Sequence, residues 1–381
     1  MKPQTRKRTK CLFVLPDLSG GGAERVTLDL VRNINKDKFE VTLFLLRYSG
    51  EYLNNVPQNI NLKYGIKGKK SLYLNFFKIF KELLIAVKEV DIVVGALELK
   101  GHFFATWAAR LCNKPVIGWV HKHLGYYLQS VPFLKRIIYK NITKILYKNM
   151  DGIVTVSNDA KMSIQSLFPE FANKVSYIYN PVDFSKIREL ASGNLPEWFK
   201  SIESKPILLS VGRLEYQKGF DLLLKAFAKV KKEGLEGTLV ILGEGSMRKY
   251  LEDMVSDLNL KDDVILPGFV NPYPIMANSD VFILSSRYEG LPTVLIEALG
   301  LDLPVISTDC PAGPREILED GRYGILIEPE DVDVMARSIK SYLTRSYKFD
   351  AKNLQSEENK VERFEIKNVC SQWERILNRM W

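Results

Sequence analysis

The chain is poor in the residues that carry metal and redox chemistry. Its four cysteines, Cys11, Cys112, Cys310 and Cys370, are scattered and form no CxxC pair. That excludes the usual zinc and dithiol motifs and points to reduced thiols in a cytosolic setting. Three histidines, His102, His121 and His123, are too few and wrongly spaced for a Cys/His zinc site. No GxGxxG opens a helix after a strand pattern, which weighs against an NAD-linked oxidoreductase. No DxD stands in an obvious loop, and Asp262–Asp263, ahead of a strand, reads as solvated. No run of about 18 uncharged apolar residues occurs, so no membrane-spanning helix is expected. Between residues 101 and 150 there is no acidic residue at all, against eight basic ones.

What is present is ordinary globular material. The chain has 381 residues, 46% hydrophobic and 26% charged, enough for two domains. The leader is basic, but the apolar stretch CLFVLPDL is broken by Pro16 and Asp17 and runs into glycines. It reads as a buried first strand, not a signal peptide, and the chain as cytoplasmic. Charge is uneven. Residues 1–200 carry 31 Lys and Arg against 16 Asp and Glu, and the remainder is net acidic. The first half therefore faces an anionic partner or tolerates that field for another reason.

Short, near-continuous apolar runs alternate with helical patterns throughout. CLFVLP, VTLFLL, DIVVGAL, KPVIGWV and DGIVTVS are strands of the first half. PILLSVGRL, TLVILGEG, DVILPGF, DVFILSS and LPVISTD are strands of the second. Such runs predict parallel sheets covered on both faces, hence two α/β doubly wound domains. We place the first at 1–186, a polar linker at 187–205, the second at 206–363, and a terminal helix at 364–381.

Two helical segments are basic and amphipathic. In 71–89, Phe76, Phe80, Leu83, Leu84 and Val87 share a face. In 133–150, Leu134, Ile137, Ile138, Ile145 and Leu146 share one, with Lys135, Arg136, Lys140, Lys144 and Lys148 around them. Either each helix packs on a sheet with a solvated basic face, or it lies on an anionic bilayer. No nucleic-acid module accompanies them.

Three loops carry candidate chemistry. LPDLSGGGAE turns from a strand into a helix through Gly20, Gly21 and Gly22, where backbone N–H groups can approach a phosphate. SVGRLEYQKG puts Arg213 and Lys218 after a strand, where two cations can neutralise a diphosphate. SSRYEGLPTVLIEALG holds Glu289 before a helix and Glu297 within it, two hydrogen-bond acceptors suited to a ligand rich in hydroxyls.

In combination, Glu289-x7-Glu297, Gly212-Arg213 with Lys218-Gly219, the SGGGAE loop, YNPVD at 179–183, GEG at 243–245 and PGFV at 267–270 resemble the retaining GT-B glycosyltransferases of family 4. The likeness covers nearly the whole chain, and CPAGPREILEDGRYGILIEPED resembles bacterial members that build surface glycans. The resemblance implies two Rossmann-like domains facing a cleft, with the terminal helix crossing back to the first. It implies a metal-independent transfer, with retention, of a hexose or N-acetylhexosamine from a nucleotide diphosphate donor, UDP in preference to GDP. It needs no cofactor. Arg213 and Lys218 would hold the diphosphate, Glu289 the sugar and Glu297 the ribose. Gly243, Phe269, Val270, Gly290, Leu291 and Thr293 would line the donor site. Gly21, Gly22 and His121 would meet the donor from the first domain, and a glycan or lipid-linked acceptor would bind that domain on the inner face of the cytoplasmic membrane. A nucleotide-sugar epimerase or hydrolase, or a non-catalytic binder, are the competing readings.

Overall fold

The computed structural model describes residues 8–19, 21–344 and 360–380. The chain divides into two compact units, 1–182 with 364–381, and 183–363. Each is built on one parallel sheet.

The first sheet has strands β1 (Thr9–Leu15), β2 (Phe39–Tyr48), β3 (Asn61–Lys67), β4 (Ile92–Gly95), β5 (Val116–Val120), β6 (Gly152–Thr155) and β7 (Val175–Tyr177), in the order 3-2-1-4-5-6-7. Its central strands are buried on both sides. Leu12 and Val14 face a core shared with helices Phe76–Lys88, Lys100–Leu111 and Phe133–Lys148. On the other side Phe13 and Trp119 meet Trp373 of helix Ile366–Met380, at ring-centroid distances of 6.4 and 4.6 Å.

The second sheet has β8 (Ile207–Val211), β9 (Thr238–Leu242), β10 (Val264–Gly268), β11 (Val281–Leu284), β12 (Val305–Thr308) and β13 (Ile325–Ile327), in the order 10-9-8-11-12-13. In both sheets the strand order reverses beside the first strand, between β1 and β4 and between β8 and β11. Loops leaving the carboxyl ends of those strands diverge and open a crevice, which is where open α/β sheets bind ligands.

Three strands lie outside the apolar runs singled out from sequence: β3, β7 and β13. All are sheet edges. An edge strand is half solvated or short, so it lacks the continuous apolar run of a central one. The stretch 187–205, expected as a linker, is folded into the second unit. Helix Phe184–Ala191 buries Phe184 and Ile187, spaced three apart, and Phe199 is buried further on. Apolar anchors at that spacing make it a packed element despite its polar composition.

Of the face expected on 133–150, Leu134, Ile137, Ile138 and Ile145 point outward and only Leu146 is buried. Phe133, Leu134, Ile138 and Ile145 are each more than half exposed, whereas Thr143, Leu146 and Tyr147 anchor the helix. The 71–89 segment behaves otherwise. Its helix packs Phe76, Phe80, Leu83, Leu84 and Val87 inward and leaves Phe77 bare, as Tyr73 and Leu74 are in the turn before it.

Candidate active site

In the second unit, β8 ends at Val211 and a tight turn brings Lys218 back under β11. Gly219, at φ 63°, is left-handed, and a Cβ there would overlap the Ser285 carbonyl oxygen. Only glycine allows that approach. Lys218 Nζ then donates to Glu289 Oε1 at 2.6 Å, both side chains largely buried. Ser286 Oγ donates to the same oxygen at 2.6 Å, and Gln217 Nε2 lies 3.4 Å from Oε2. Lys218's methylenes pack on Gly212. Arg213 is exposed, and its guanidinium makes no hydrogen bond or ion pair among the described residues. Gly243, at φ 137°, presses against the Gly212 carbonyl and holds the Gly212–Arg213 turn from behind.

Glu289 precedes helix Thr293–Gly300, for which Pro292 is the N-cap. Glu297, 3% exposed, sits in its second turn, with Tyr273 Oη 3.5 Å from its Oε1. Gly290 and Leu291 are buried beneath the Cys310–Gly313 loop, and Thr293 is half-buried. Burial and the nearby Glu289 charge push the Cys310 thiol up, so it is inert at neutral pH. Phe269 is 71% exposed beside the half-buried Val270, an aromatic face without a core role. The structure thus brings Lys218 and Glu289 into direct contact and sets Arg213 and Gly243 on the loops leaving β8 and β9, with Glu297 in the helix that follows β11.

In the first unit, Gly21 is the N-cap of helix Gly22–Asn33, and the Glu24 carboxylate lies against it. The helix start therefore already carries an anion from its own first turn. Gly22 is open to solvent. His121 follows β5, and its Nε2 lies 3.1 Å from the Ala96 carbonyl oxygen. A carbonyl only accepts, so Nε2 carries the proton and Nδ1 is left as an acceptor. Burial pulls its pKa down to about 4 against the opposing pull of Glu98, so the ring is neutral at pH 7. His123 caps helix Leu124–Ser130, its Nδ1 accepting from Tyr126 N at 3.2 Å, and so serves the fold. His102 is buried, with Nε2 donating to the Trp119 carbonyl at 3.0 Å.

Of the basic residues called on helix Phe133–Lys148, Lys135, Lys140 and Lys148 are exposed. Lys144 pairs with Glu170 at 2.8 Å. Arg136 turns back to the Gln129 carbonyl at 3.1 Å, satisfying the end of the preceding helix.

Comparison with known proteins decides the family. Residues 20–186 match the profile of Glycosyltransferase Family 4, and residues 195–360 that of Glycosyl transferases group 1. Over 354 residues the chain is 30% identical to N-acetylgalactosamine-N,N'-diacetylbacillosaminyl-diphospho-undecaprenol 4-alpha-N-acetylgalactosaminyltransferase of Campylobacter jejuni, covering 88% of this chain and 92% of that one. The chain belongs to glycosyltransferase family 4. An uncharacterized glycosyltransferase of Methanocaldococcus jannaschii is 36% identical over 201 residues, which span about half of each protein (49% and 50%). The crystal structure of Anabaena Alr3699/HepE in complex with UDP-glucose matches with a TM-score of 0.79 at 18% identity, covering 98% of this chain and all of that one. The fold of this glycosyltransferase is GT-B.

Sequence reading missed the residue that braces the glycosyltransferase's Lys218 turn. Arg287 forms a two-pronged pair with Asp221, both bonds 2.8 Å, with side chains 8% and 10% exposed. It also donates to the Tyr216 carbonyl at 2.7 Å and to Glu330 at 3.1 Å, and lies 3.9 Å over the Tyr216 ring. Its backbone N–H donates to Gln217 O at 2.8 Å. The signal was an Arg two residues before Glu289 and an Asp three after Lys218, invisible until the loops meet.

The neutral His121 makes the fold acid-sensitive. Above about pH 6.5 neither the folded nor the unfolded imidazole is charged. Between there and about 4 the unfolded chain takes up a proton that the folded one refuses, so stability falls as pH falls. Allowing for its half-burial, the loss is about 1–3 kcal/mol. Melting curves from pH 7 to 4.5 should show a shallower decline for His121→Gln than for the wild type.

Proposed function

We propose that the protein transfers, with retention and without a metal, a hexose or N-acetylhexosamine from a UDP-linked donor to a lipid-linked glycan. The observation that carries this is the Lys218–Glu289 pair at the switch point of the second sheet. Arg213 and Lys218 would neutralise the diphosphate as it departs, the electrostatic task that a metal performs elsewhere. Glu289 would exchange its lysine for sugar hydroxyls, and Glu297 would accept from the ribose. Glu289 is already engaged by Lys218 and Ser286, which suits a binding carboxylate better than a nucleophile. The leaving phosphate would then take the acceptor's proton on the same face.

The donor and acceptor classes are supported by relatives. Two Campylobacter jejuni relatives are named for transfer onto diphospho-undecaprenol-linked glycans. An Escherichia coli relative is named as a UDP-Gal:alpha-D-GlcNAc-diphosphoundecaprenol galactosyltransferase. A thermal-shift panel of UDP-, GDP- and ADP-sugars tests the donor, since a tight ligand raises Tm by mass action. Transfer measured with and without EDTA, and the anomeric configuration of the product, test the rest. Epimerised or free sugar from donor alone, with no acceptor dependence, would mark an epimerase or hydrolase instead.

We place the protein on the inner face of the cytoplasmic membrane. Among the described residues no helix is long and apolar enough to cross a bilayer. Helix Phe133–Lys148 instead offers an exposed apolar stripe flanked by Lys135, Lys140 and Lys148, the pattern of an interfacial helix. The protein should sediment with phosphatidylglycerol vesicles and detach as salt rises from 50 to 200 mM. Each Lys-to-Gln change at 135, 140 and 148 should weaken binding by about 1 kcal/mol, roughly fivefold. Binding indifferent to salt and to these changes would remove the assignment.

A further inference from the structure

The most anomalous polar group in the first unit is Glu98, on the loop leaving β4. Its Oε1 is fully used, accepting from the backbone N–H groups of His121 at 2.6 Å and Lys122 at 2.8 Å. Its Oε2 is buried and has no hydrogen-bond partner among the described residues. Burial opposes the charge, but the neighbouring Lys122 ammonium and a backbone hydrogen bond hold the carboxyl below its usual range, so it is ionised. Leaving an ionised oxygen desolvated and unbonded is costly. A group in that state needs an explanation.

A small pocket supplies one. Glu98 lines it with Leu99, Lys122, Tyr127, Tyr139, Thr143 and Tyr147, and there is room beside them for a water-sized group. Lys122 is exposed, and Tyr127 and Tyr139 are partly buried, so the pocket lies just beneath the surface beside Lys122. The wall is aromatic: the Tyr127 and Tyr139 rings lie 4.7 Å apart, and Lys122 Nζ sits 4.9 Å from the Tyr127 ring. The backbone is also strained here. Leu99, next to Glu98, has φ 55° and ψ −87°, a rarely populated region for a residue with a side chain. Such strain gathers at ligand clamps.

The pocket's chemistry narrows its occupant. A phosphate would meet the Glu98 charge. An ammonium group would add a cation next to Lys122. A neutral O–H or N–H fits, because a carboxylate can only accept. The same helix that lends Tyr139, Thr143 and Tyr147 to the pocket carries the outward apolar stripe. A substrate held at a lipid surface would reach the pocket along it.

We propose that Glu98 reads the acceptor: Oε1 fixes the His121–Lys122 turn, and Oε2 takes a hydrogen bond from a hydroxyl or acetamido N–H of the acceptor saccharide. This rests on the lipid-linked acceptor reading above. Glu98→Gln isolates the second role. Its amide oxygen still accepts from the two backbone N–H groups, while its NH2 replaces the oxygen facing the pocket. Glu98→Ala removes both.

The test uses the full chain, a UDP-sugar identified by thermal shift, and N-acetylglucosamine or N-acetylgalactosamine joined through a diphosphate to a short prenyl chain. Glu98→Gln should raise the acceptor KM at least tenfold, with the Kd for UDP and the Tm near wild type. An acceptor KM within twofold of wild type would overturn the proposal. If the wild type binds UDP-sugar yet fails to transfer, the lipid-linked acceptor reading falls, and saturation-transfer NMR decides the pocket. Methyl α-glycosides of the two N-acetylhexosamines should show contact with the wild type that Glu98→Gln loses. Equal or absent signals in both proteins would overturn it.

Discussion

Lys218→Ala should cut transfer by about 10²–10³-fold, the loss typical when a single donor to developing negative charge is removed. The same change strips the cation from Glu289, whose side chain is 7% exposed. Breaking one side of a buried pair costs about 3–5 kcal/mol, so the melting temperature should fall as well. A Lys218→Met, Glu289→Gln double variant separates the two effects. With both charges gone the buried site is neutral again and most of the stability should return. Transfer should not return. Initial rates and melting curves on the three proteins check this, and wild-type turnover by the double variant would remove Lys218 from the leaving-group role.

Arg287→Ala should destabilise the second unit as strongly as the loss of Lys218. It leaves Asp221 uncompensated at 10% exposure and removes one of the two N–H donors to the Tyr216 carbonyl, leaving only Gly219 N–H. About 3–5 kcal/mol is a large share of the 5–15 kcal/mol that holds a typical folded protein together. Transfer should fall as well, because the 216–218 turn then loses the brace that keeps Lys218 against Glu289. Arg287→Lys keeps the charge but not the fork, and it should recover less than half of the lost stability. Urea or thermal unfolding measures the first effect, and the donor KM and kcat of Arg287→Lys measure the second. An Arg287→Ala protein that melts with the wild type would show the pair to be ornamental.

How much could be read beforehand follows from what each feature depends on. Central strands were legible because burial on both faces writes an apolar run, as in Cys11–Leu15. Edge strands such as β7 left no such mark. Lys218 and Glu289 were legible as residue types after strands, but their contact spans 71 positions and exists only once β8 and β11 lie side by side. Arg287, Asp221 and Glu98 were not legible at all. Their roles lie in partners brought by topology, and an isolated Arg, Asp or Glu in a loop is common. The stripe on 133–150 was legible as a pattern but not in direction, since periodicity gives a face without saying whether core or solvent lies against it.

Helix Ile366–Met380 belongs to a unit whose other residues end at Val182. The chain's return is pinned where it left: Val182 N–H donates to the Phe364 carbonyl at 2.9 Å, and Ile366 N–H to the Val182 carbonyl at 3.0 Å. During synthesis the first sheet is therefore complete in strands long before Trp373 emerges to cover Phe13 and Trp119. Until then an aromatic face stays open on the ribosome while some 180 residues of the second unit are made. At about 5–20 residues per second that is a delay of roughly ten to forty seconds. The nascent chain is an aggregation hazard for that interval, and a chaperone that shields aromatic surface would act then.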